Sequence, residues 1–397
     1  KSLYLCCVHA HHFGMQRDKR AAAPVIALIL MLGGSAPAHA GYCYSGYMAY
    51  LKPVAWWRLS ETGAATTAVD SSGNGHDGTY VNTPTLGTAG SVTQDPSTSI
   101  TLSAASSQYI EVADADDLSL VKGQDAFGRT VGVSNSWGTA EVGGSWTAAF
   151  TTNNYYSCNG STAQIDQTGG TGTWGQTLGV SRKDVDLQIK ASWNQVAAGA
   201  AIIPVALMAR YASSTNYYRA EIRENVGGSL DLRVVKVVGG TSTVIQTASA
   251  IGTYVTGDSW YLRFQVEGSA LRASAWKDGT PLSPWAWTIN TSDTALVAAG
   301  TVGIRSTNSG STARPTVSFD DFRVQSVGMT IHGWIRPTAL DFTGDTSEDY
   351  IHWLSKGAVN SEQEYACRFY PISSTRPNRL SAYLFNTSGG LGAGAYF

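Results

Sequence analysis

The chain is poor in charge, in cysteine and in any helical period. Only 14% of its 397 residues are Asp, Glu, Lys or Arg, and the formal net charge is −2. That balance includes four basic residues among the first 40, so the remainder is more acidic still. A weakly acidic chain without a basic stripe argues against nucleic acid as the main partner. Apolar residues show no 3.6-residue period over a 15-residue window, which excludes bundles and solenoids of helices. The longest apolar run, Ala21 to Leu32, is twelve residues, short of the roughly 20 needed to cross a bilayer as a helix. Five cysteines fall to three beyond residue 40, namely Cys43, Cys158 and Cys367, with no C-x-x-C spacing. Cys367 alternates with Tyr365 and Phe369, as a buried apolar residue would. Beyond residue 40 the histidines are His76, His332 and His352, too scattered for a zinc helix motif. A G-x-S-x-G elbow, a P-loop and an EF-hand loop are also missing.

What the chain has in plenty is glycine (43), tyrosine (19) and tryptophan (12). Aromatic residues suit pleated surfaces and glycine supplies turns, so the expected class is all-β. Period-two alternation is plain in several runs. Val185, Leu187, Ile189, Ala191 and Trp193 alternate with Asp186, Gln188, Lys190 and Ser192, and Trp260, Leu262, Phe264 and Val266 alternate with Tyr261, Arg263 and Gln265. Met329, Ile331 and Ile335 oppose Thr330, His332, Trp334 and Arg336 in the same way. Adjacent Trp56 and Trp57 are expected to split, one toward core and one toward surface.

The first 40 residues read as a processing segment. From Met15 come Arg17, Lys19 and Arg20, then the apolar run, then Ala38-His39-Ala40, the layout of a secretory signal peptide. Export to the extracellular space is the expected localisation; a start at Met48, with everything upstream untranslated, is the other reading.

Two groups of residues about 200 positions apart resemble the two halves of a laminin-G-like (concanavalin A-like) jelly roll. They are Trp56-Trp57-Arg58-Leu59, Asp70-Ser71-Ser72-Gly73-Asn74-Gly75-His76-Asp77-Gly78 and Gln108–Val112 on one side, and Met329–Pro337 on the other. The stretch between opens with Asp125-Ala126-Phe127-Gly128-Arg129 and closes with Val317–Val324, a frame similar to other concanavalin A-like modules. The resemblance implies an antiparallel β-sandwich at 45–123 and 328–397, interrupted by a second sandwich at 124–327 whose first and last strands pair. The final residues follow a Gly-rich run, 389–394, so the second half is expected to lack its closing strand.

Asp70, Asn74 and Asp77 offer hard oxygens in a glycine-rich loop, an arrangement that suits calcium. The same types also cap turns through their own backbone. In Val317–Val324 the inward phase flips between Asp320 and Asp321, which a β-bulge would produce. With Asp125 on a neighbouring strand these carboxylates could share a structural Ca2+ ion, or pair with Arg129 and Arg323 as charges. The alternating acids of β-glucan-cleaving enzymes are missing; Glu221 shares a strand face with Arg219 and Arg223, as in a surface charge ladder. If Met329–Arg336, Tyr365–Tyr370 and Leu380–Phe385 are successive antiparallel strands, their non-core face presents His332, Trp334, Arg336, Arg368, Tyr370, Tyr383 and Phe385. Flat rings beside polar groups suit sugars. The expected function is a secreted, non-catalytic module for a glycan or cell-surface polysaccharide, part of a larger protein. A virion component, structural or receptor-binding, and the non-catalytic part of a glycoside hydrolase are the alternatives.

Overall fold

The computed structural model describes residues 2–9, 26–30, 48, 51–90, 97–115, 117–150, 154–280, 287–337, 350–357, 364–371, 374, 377, 379–385 and 391–396. Cys43 and most of the expected signal segment lie outside these. The fold is all-β, and nearly every sheet contact is antiparallel. The chain divides into two compact units, one of them Val121–Val327, the other including Pro24–Leu120 and Gly328–Phe397.

Unit Val121–Val327 is a two-sheet sandwich. Its seven-stranded sheet runs, edge to edge, Trp146–Ala148, Gly172–Arg182, Gly300–Asn308, Ile202–Ser213, Asn216–Glu224, Ser229–Val238 and Thr241–Thr253. The nine-stranded sheet centres on Val185–Trp193, flanked by Ser259–Glu267 and Thr316–Gln325. Alternation places the core between them. Val185, Leu187, Ile189 and Ala191 sit opposite Val266, Phe264, Leu262 and Trp260, and all eight are buried. The facing layer supplies Val205, Leu207, Tyr218, Ala220, Ile222, Leu232, Val234, Val302 and Ile304. Val121–Asp125 pairs antiparallel with Thr316–Gln325, with Asp125 opposite Phe322, so the two ends of the unit leave side by side. The bulge between Asp320 and Phe322 is present: the register shifts there and Asp321 takes φ +51°.

An aromatic cluster closes one end of this core. Trp137 meets Trp146 edge-on at 5.2 Å and Tyr156 at 5.7 Å, while Trp146 lies 5.0 Å from Phe322. Asp125, fully buried, organises it. Its carboxylate accepts two hydrogen bonds from Arg129 (2.7 and 2.8 Å), one from Trp146 Nε1 (2.7 Å) and one from the Phe127 amide (2.9 Å). The carboxylate in turn raises the Arg129 pKa above its ordinary value.

The other unit keeps its core among Trp57, Leu59, Tyr80, Leu118, Leu120, Ile331, Trp353, Tyr365, Cys367 and Leu380. Cys367 is buried among them, as expected, and burial pushes its thiol up to about 12. Trp56 and Trp57 are both buried, against the expected split. The two rings do point to different places: Trp57, bridged to Asp70, packs into this core and donates from Nε1 to the His76 carbonyl at 2.6 Å, while Trp56 packs with Met48 and Leu51 in a separate small cluster instead of meeting solvent. Leu391–Tyr396 pairs with Leu380–Phe385, so a further strand does follow the one at 380–385.

Removing the Asp125 carboxylate leaves the Arg129 guanidinium uncompensated and strands the Trp146 indole N–H. Truncation of one partner of a buried pair costs about 3–5 kcal/mol. Urea unfolding followed by tryptophan fluorescence should show that loss for Asp125→Ala. A loss under about 1 kcal/mol would remove Asp125 as the organiser of this cluster.

Candidate functional site on the seven-stranded sheet

In the expected calcium loop Asp70 is buried and Asn74 and Asp77 are exposed. The Asp70 carboxylate accepts from the amides of Trp56 (2.9 Å), Ser72 (2.9 Å) and His76 (3.0 Å) and from the Ser72 hydroxyl (2.7 Å). Asp77 accepts the Asp70 amide at 2.7 Å, and the Asn74 side chain donates to the Val54 carbonyl at 2.8 Å. Burial works to raise the Asp70 pKa, but the three amides and the hydroxyl outweigh it and hold it below the usual carboxylate value. A carboxylate saturated by N–H and O–H donors does not fit a cation. These residues cap turns.

The second carboxylate group is dispersed. Asp125 points into the core and is committed to Arg129 and Trp146, while Asp321 is exposed and accepts from the Tyr261 hydroxyl at 3.1 Å. Asp320 accepts the Asp321 amide at 2.8 Å, and burial raises its pKa. The bulge leaves Asp320 and Asp321 both outside the core near Lys190, away from buried Asp125. Among the described residues no three His, Cys, Asp or Glu side chains gather as a metal site would require.

The expected aromatic face is not one surface. Met329–Arg336 pairs with Ser2–His9 and Ile26–Leu30, not with Tyr365–Phe369, whose two edges are taken by Ile351–Lys356 and Leu380–Phe385. Trp334 and Arg336 therefore belong to a different sheet from Tyr370 and Tyr383; the His332 side chain lies outside the described residues. Tyr370 and Tyr383 are buried, not displayed. Arg368 stacks on Tyr350 (3.9 Å) and Tyr383 (5.2 Å) and donates from Nε to His352 Nε2 at 3.0 Å.

The outer face of the seven-stranded sheet in unit Val121–Val327 carries the chemistry instead. Strand Asn216–Glu224 sends Tyr218, Ala220 and Ile222 to the core, so Tyr217, Arg219, Glu221 and Arg223 share the opposite face. Register then sets Arg305, Ala206, Glu221 and Arg233 side by side across four strands. Glu221 is wholly buried. Its carboxylate accepts from Arg219 Nε at 2.5 Å and from Arg233, and Arg305 Nη1 stands 4.0 Å away. Burial pushes the Glu221 pKa up, but the positive charges of Arg219, Arg233 and Arg305 prevail and hold it below its ordinary value. The ladder of charge legible in the sequence exists, but sunk in the sheet surface instead of solvated.

Small residues make room for it. Gly175 lies opposite Arg305, and a Cβ there would meet the Ile304 carbonyl at 2.8 Å and the Phe150 ring at 3.0 Å. Phe150 covers the Arg305 guanidinium at 5.6 Å and packs edge-on against Tyr211 and Tyr217. Arg305 is only 8% exposed, and its Nε and Nη1 find no hydrogen-bond acceptor among the described residues; neither does Arg233 Nε. Burial, reinforced by repulsion from Arg219 and Arg233, lowers the Arg305 pKa. Beside this cluster opens a cavity of about 290 Å3, lined by Ala200 to Ile203, Arg223, Arg233, Thr307 and Ser309.

Slight likenesses to solved structures accompany this geometry. Carbohydrate-binding module CBM66 from Bacillus subtilis aligns at 16% identity over 46% of this chain and 95% of its own, with a TM-score of 0.33. The VIP36 exoplasmic/lumenal domain, in a form bound to Ca2+ and Man3GlcNAc, aligns at 11% identity over 46% of this chain and 82% of its own, TM-score 0.33. A β-1,3-glucanase from Mycobacterium marinum aligns at 12% identity over 51% and 98%, TM-score 0.36. No protein-family model matches the chain, and no curated protein matches it.

Glu224 faces the other way from Glu221. It is buried on the core side, accepts from Trp193 Nε1 at 2.8 Å, and burial pushes its pKa up to about 7. A carboxyl group with a raised folded pKa favours folding below the unfolded value, near 4.5, and loses that contribution as pH rises through about 7. The melting temperature of the protein should fall over that window, and Glu224→Gln should flatten the fall; an unchanged profile in the variant would exclude Glu224 as its source. Addition of EDTA should leave the melting temperature where it was, since the loop of Asp70 and Asp77 is held by hydrogen bonds. A chelator-induced drop would restore a structural cation.

Proposed function

We propose that the protein is a secreted, non-catalytic carbohydrate-binding module that takes its ligand on the outer face of the seven-stranded sheet. One observation carries this reading: Arg233, which lines an open cavity, and Arg305, two residues along its strand from cavity-lining Thr307, hold buried guanidinium donors with no acceptor among the described residues. Leaving buried donors unpaired costs about 1–3 kcal/mol each. A ligand that brings oxygens to them recovers that cost, and sugars are dense in oxygens at fixed geometry. Thr307 and Ser309 add hydroxyls to the cavity wall, while Ile202 and Ile203 give it apolar surface. Such a mixture suits a ring with polar edges and apolar faces.

The non-catalytic part of the proposal rests on the carboxylates. Glycoside hydrolysis needs two facing carboxyl groups, one of them protonated as a general acid. Glu221 and Glu224 lie on opposite faces of one strand, and Glu221 is kept ionised by its arginines. Export is supported by the basic residues Arg17, Lys19 and Arg20 ahead of the apolar run.

Glycan-array screening followed by isothermal titration of the best ligand tests the assignment. Arg305→Met keeps the volume and the packing under Phe150 while removing the donors. It should weaken binding at least tenfold, with circular dichroism and melting temperature near those of the parent. Equal affinity in a folded Arg305→Met variant would move the site off this face.

A further inference from the structure

The charge on this face is unbalanced, and the imbalance has a direction. Three guanidiniums, Arg219, Arg233 and Arg305, surround the single carboxylate of Glu221. Arg223, the fourth guanidinium, is matched by Asp231 at 3.5 Å and by the Asn225 side chain. No other carboxylate is paired with the first three among the described residues. The three sit close enough to oppose one another: Arg219 and Arg233 each help lower the Arg305 pKa. Arg219 and Arg305 are almost wholly withdrawn from water and Arg233 is partly so, and clustered cations of one sign in such a place are costly to keep unless something negative joins them.

We infer that the cavity bounded by Arg223 and Arg233 receives an anionic group of the sugar, so that the ligand is an acidic glycan, carrying a carboxylate or a sulfate. This rests on the glycan-binding reading and narrows it. A planar or tetrahedral oxyanion accepts two hydrogen bonds from one guanidinium fork, which a neutral hydroxyl cannot do. Arg233 is suited to this task. Its Nη2 holds Glu221, while its Nε is left without an acceptor among the described residues, and its side chain lines the cavity. Arg305 stands behind, one step along the same strand face from cavity-lining Thr307, and adds positive potential from a site with little solvent to screen it. Glu221 has a positioning role here: it fixes the Arg219 and Arg233 forks and leaves the surplus charge for the ligand. On the remaining wall, Thr307 and Ser309 offer hydroxyls and Ala200 to Ile203 carry no charge, so no acidic side chain repels the anion from that side.

The test compares one oligosaccharide in two charge states. Isothermal titration of the full chain at pH 7 uses an oligogalacturonate, its fully methyl-esterified form, and a sulfated oligosaccharide of similar length. The acid or the sulfate should bind at least tenfold tighter than the ester, with affinity falling as salt rises. Arg223→Gln, at the more open rim of the cavity, and Arg233→Lys, which keeps the charge but loses the fork, should each remove most of that preference. Which anion binds better separates carboxylate from sulfate recognition. If the ester or other neutral glycans bind as well as the acids, and lose affinity in Arg305→Met, the face binds glycans but the acidic preference is wrong. If no glycan binds, both readings fall. Binding of a DNA oligomer of equal charge with equal affinity would likewise overturn the acidic-glycan inference.

Discussion

Glu221 has no access to water, and the structure around it follows from that. An ionised carboxylate removed from solvent needs positive partners with hydrogen bonds, and it has them in Arg219 and Arg233, with Arg305 close by. Those partners come from three further positions in sequence, on three strands that only the sheet register brings together. Holding them flat against the sheet requires small neighbours, which Ala206, Gly175 and Gly303 provide. The group is over-supplied with cations for one carboxylate. A purely structural ion pair would be expected to close its own account, as Asp125 does with Arg129, Trp146 and the Phe127 amide.

The contrast between satisfied and unsatisfied groups separates scaffold from site. Asp70 and Asp125 are both buried acids that sequence inspection could take for metal ligands, and both are fully engaged by N–H and O–H donors from their own unit. They fix loops and an aromatic core. Arg305 is buried to a similar degree, yet its Nε and Nη1 lack acceptors among the described residues. Buried polar groups are usually paired; other buried atoms, such as Trp174 Nε1, Gln176 Oε1 and Glu224 Oε1, also find no partner among the described residues, but the Arg233 donor belongs to the cavity lining, where a ligand's oxygens are expected.

Much of the fold could be read along the chain. Period-two alternation in Val185–Trp193 and Trp260–Val266 gave the core faces correctly, because both runs are long, continuous strands with neighbours on each side. The phase flip at Asp320 and Asp321 announced its bulge for the same local reason. The loop at Asp70 was ambiguous, since turn-capping and calcium-binding residues are the same types, and only hydrogen-bond directions distinguish them. Trp56 and Trp57 point to different clusters, but the Trp56 side is covered by Met48 and Leu51, a contact that the local pattern does not encode. The aromatic face expected from Trp334, Tyr370 and Tyr383 failed on strand order, a long-range property that no local pattern encodes. The site itself was half legible. Arg219, Glu221 and Arg223 were evident as a same-face ladder; Arg233, 12 positions on, pairs with Glu221 from the next strand in sequence, whereas Arg305, 84 positions away, joins them only through the pairing of Gly300–Asn308 with Ile202–Ser213.

The central claim is that the outer face of the seven-stranded sheet, and not any other surface, receives the ligand. A crystal structure of the full chain with an oligosaccharide bound tests it most directly. The account predicts sugar density over the cavity beside Thr307 and Ser309, with ligand oxygens within hydrogen-bonding distance of Arg233 or Arg305. An ordered sugar seated elsewhere, with this face empty and the guanidiniums unmoved, would contradict it.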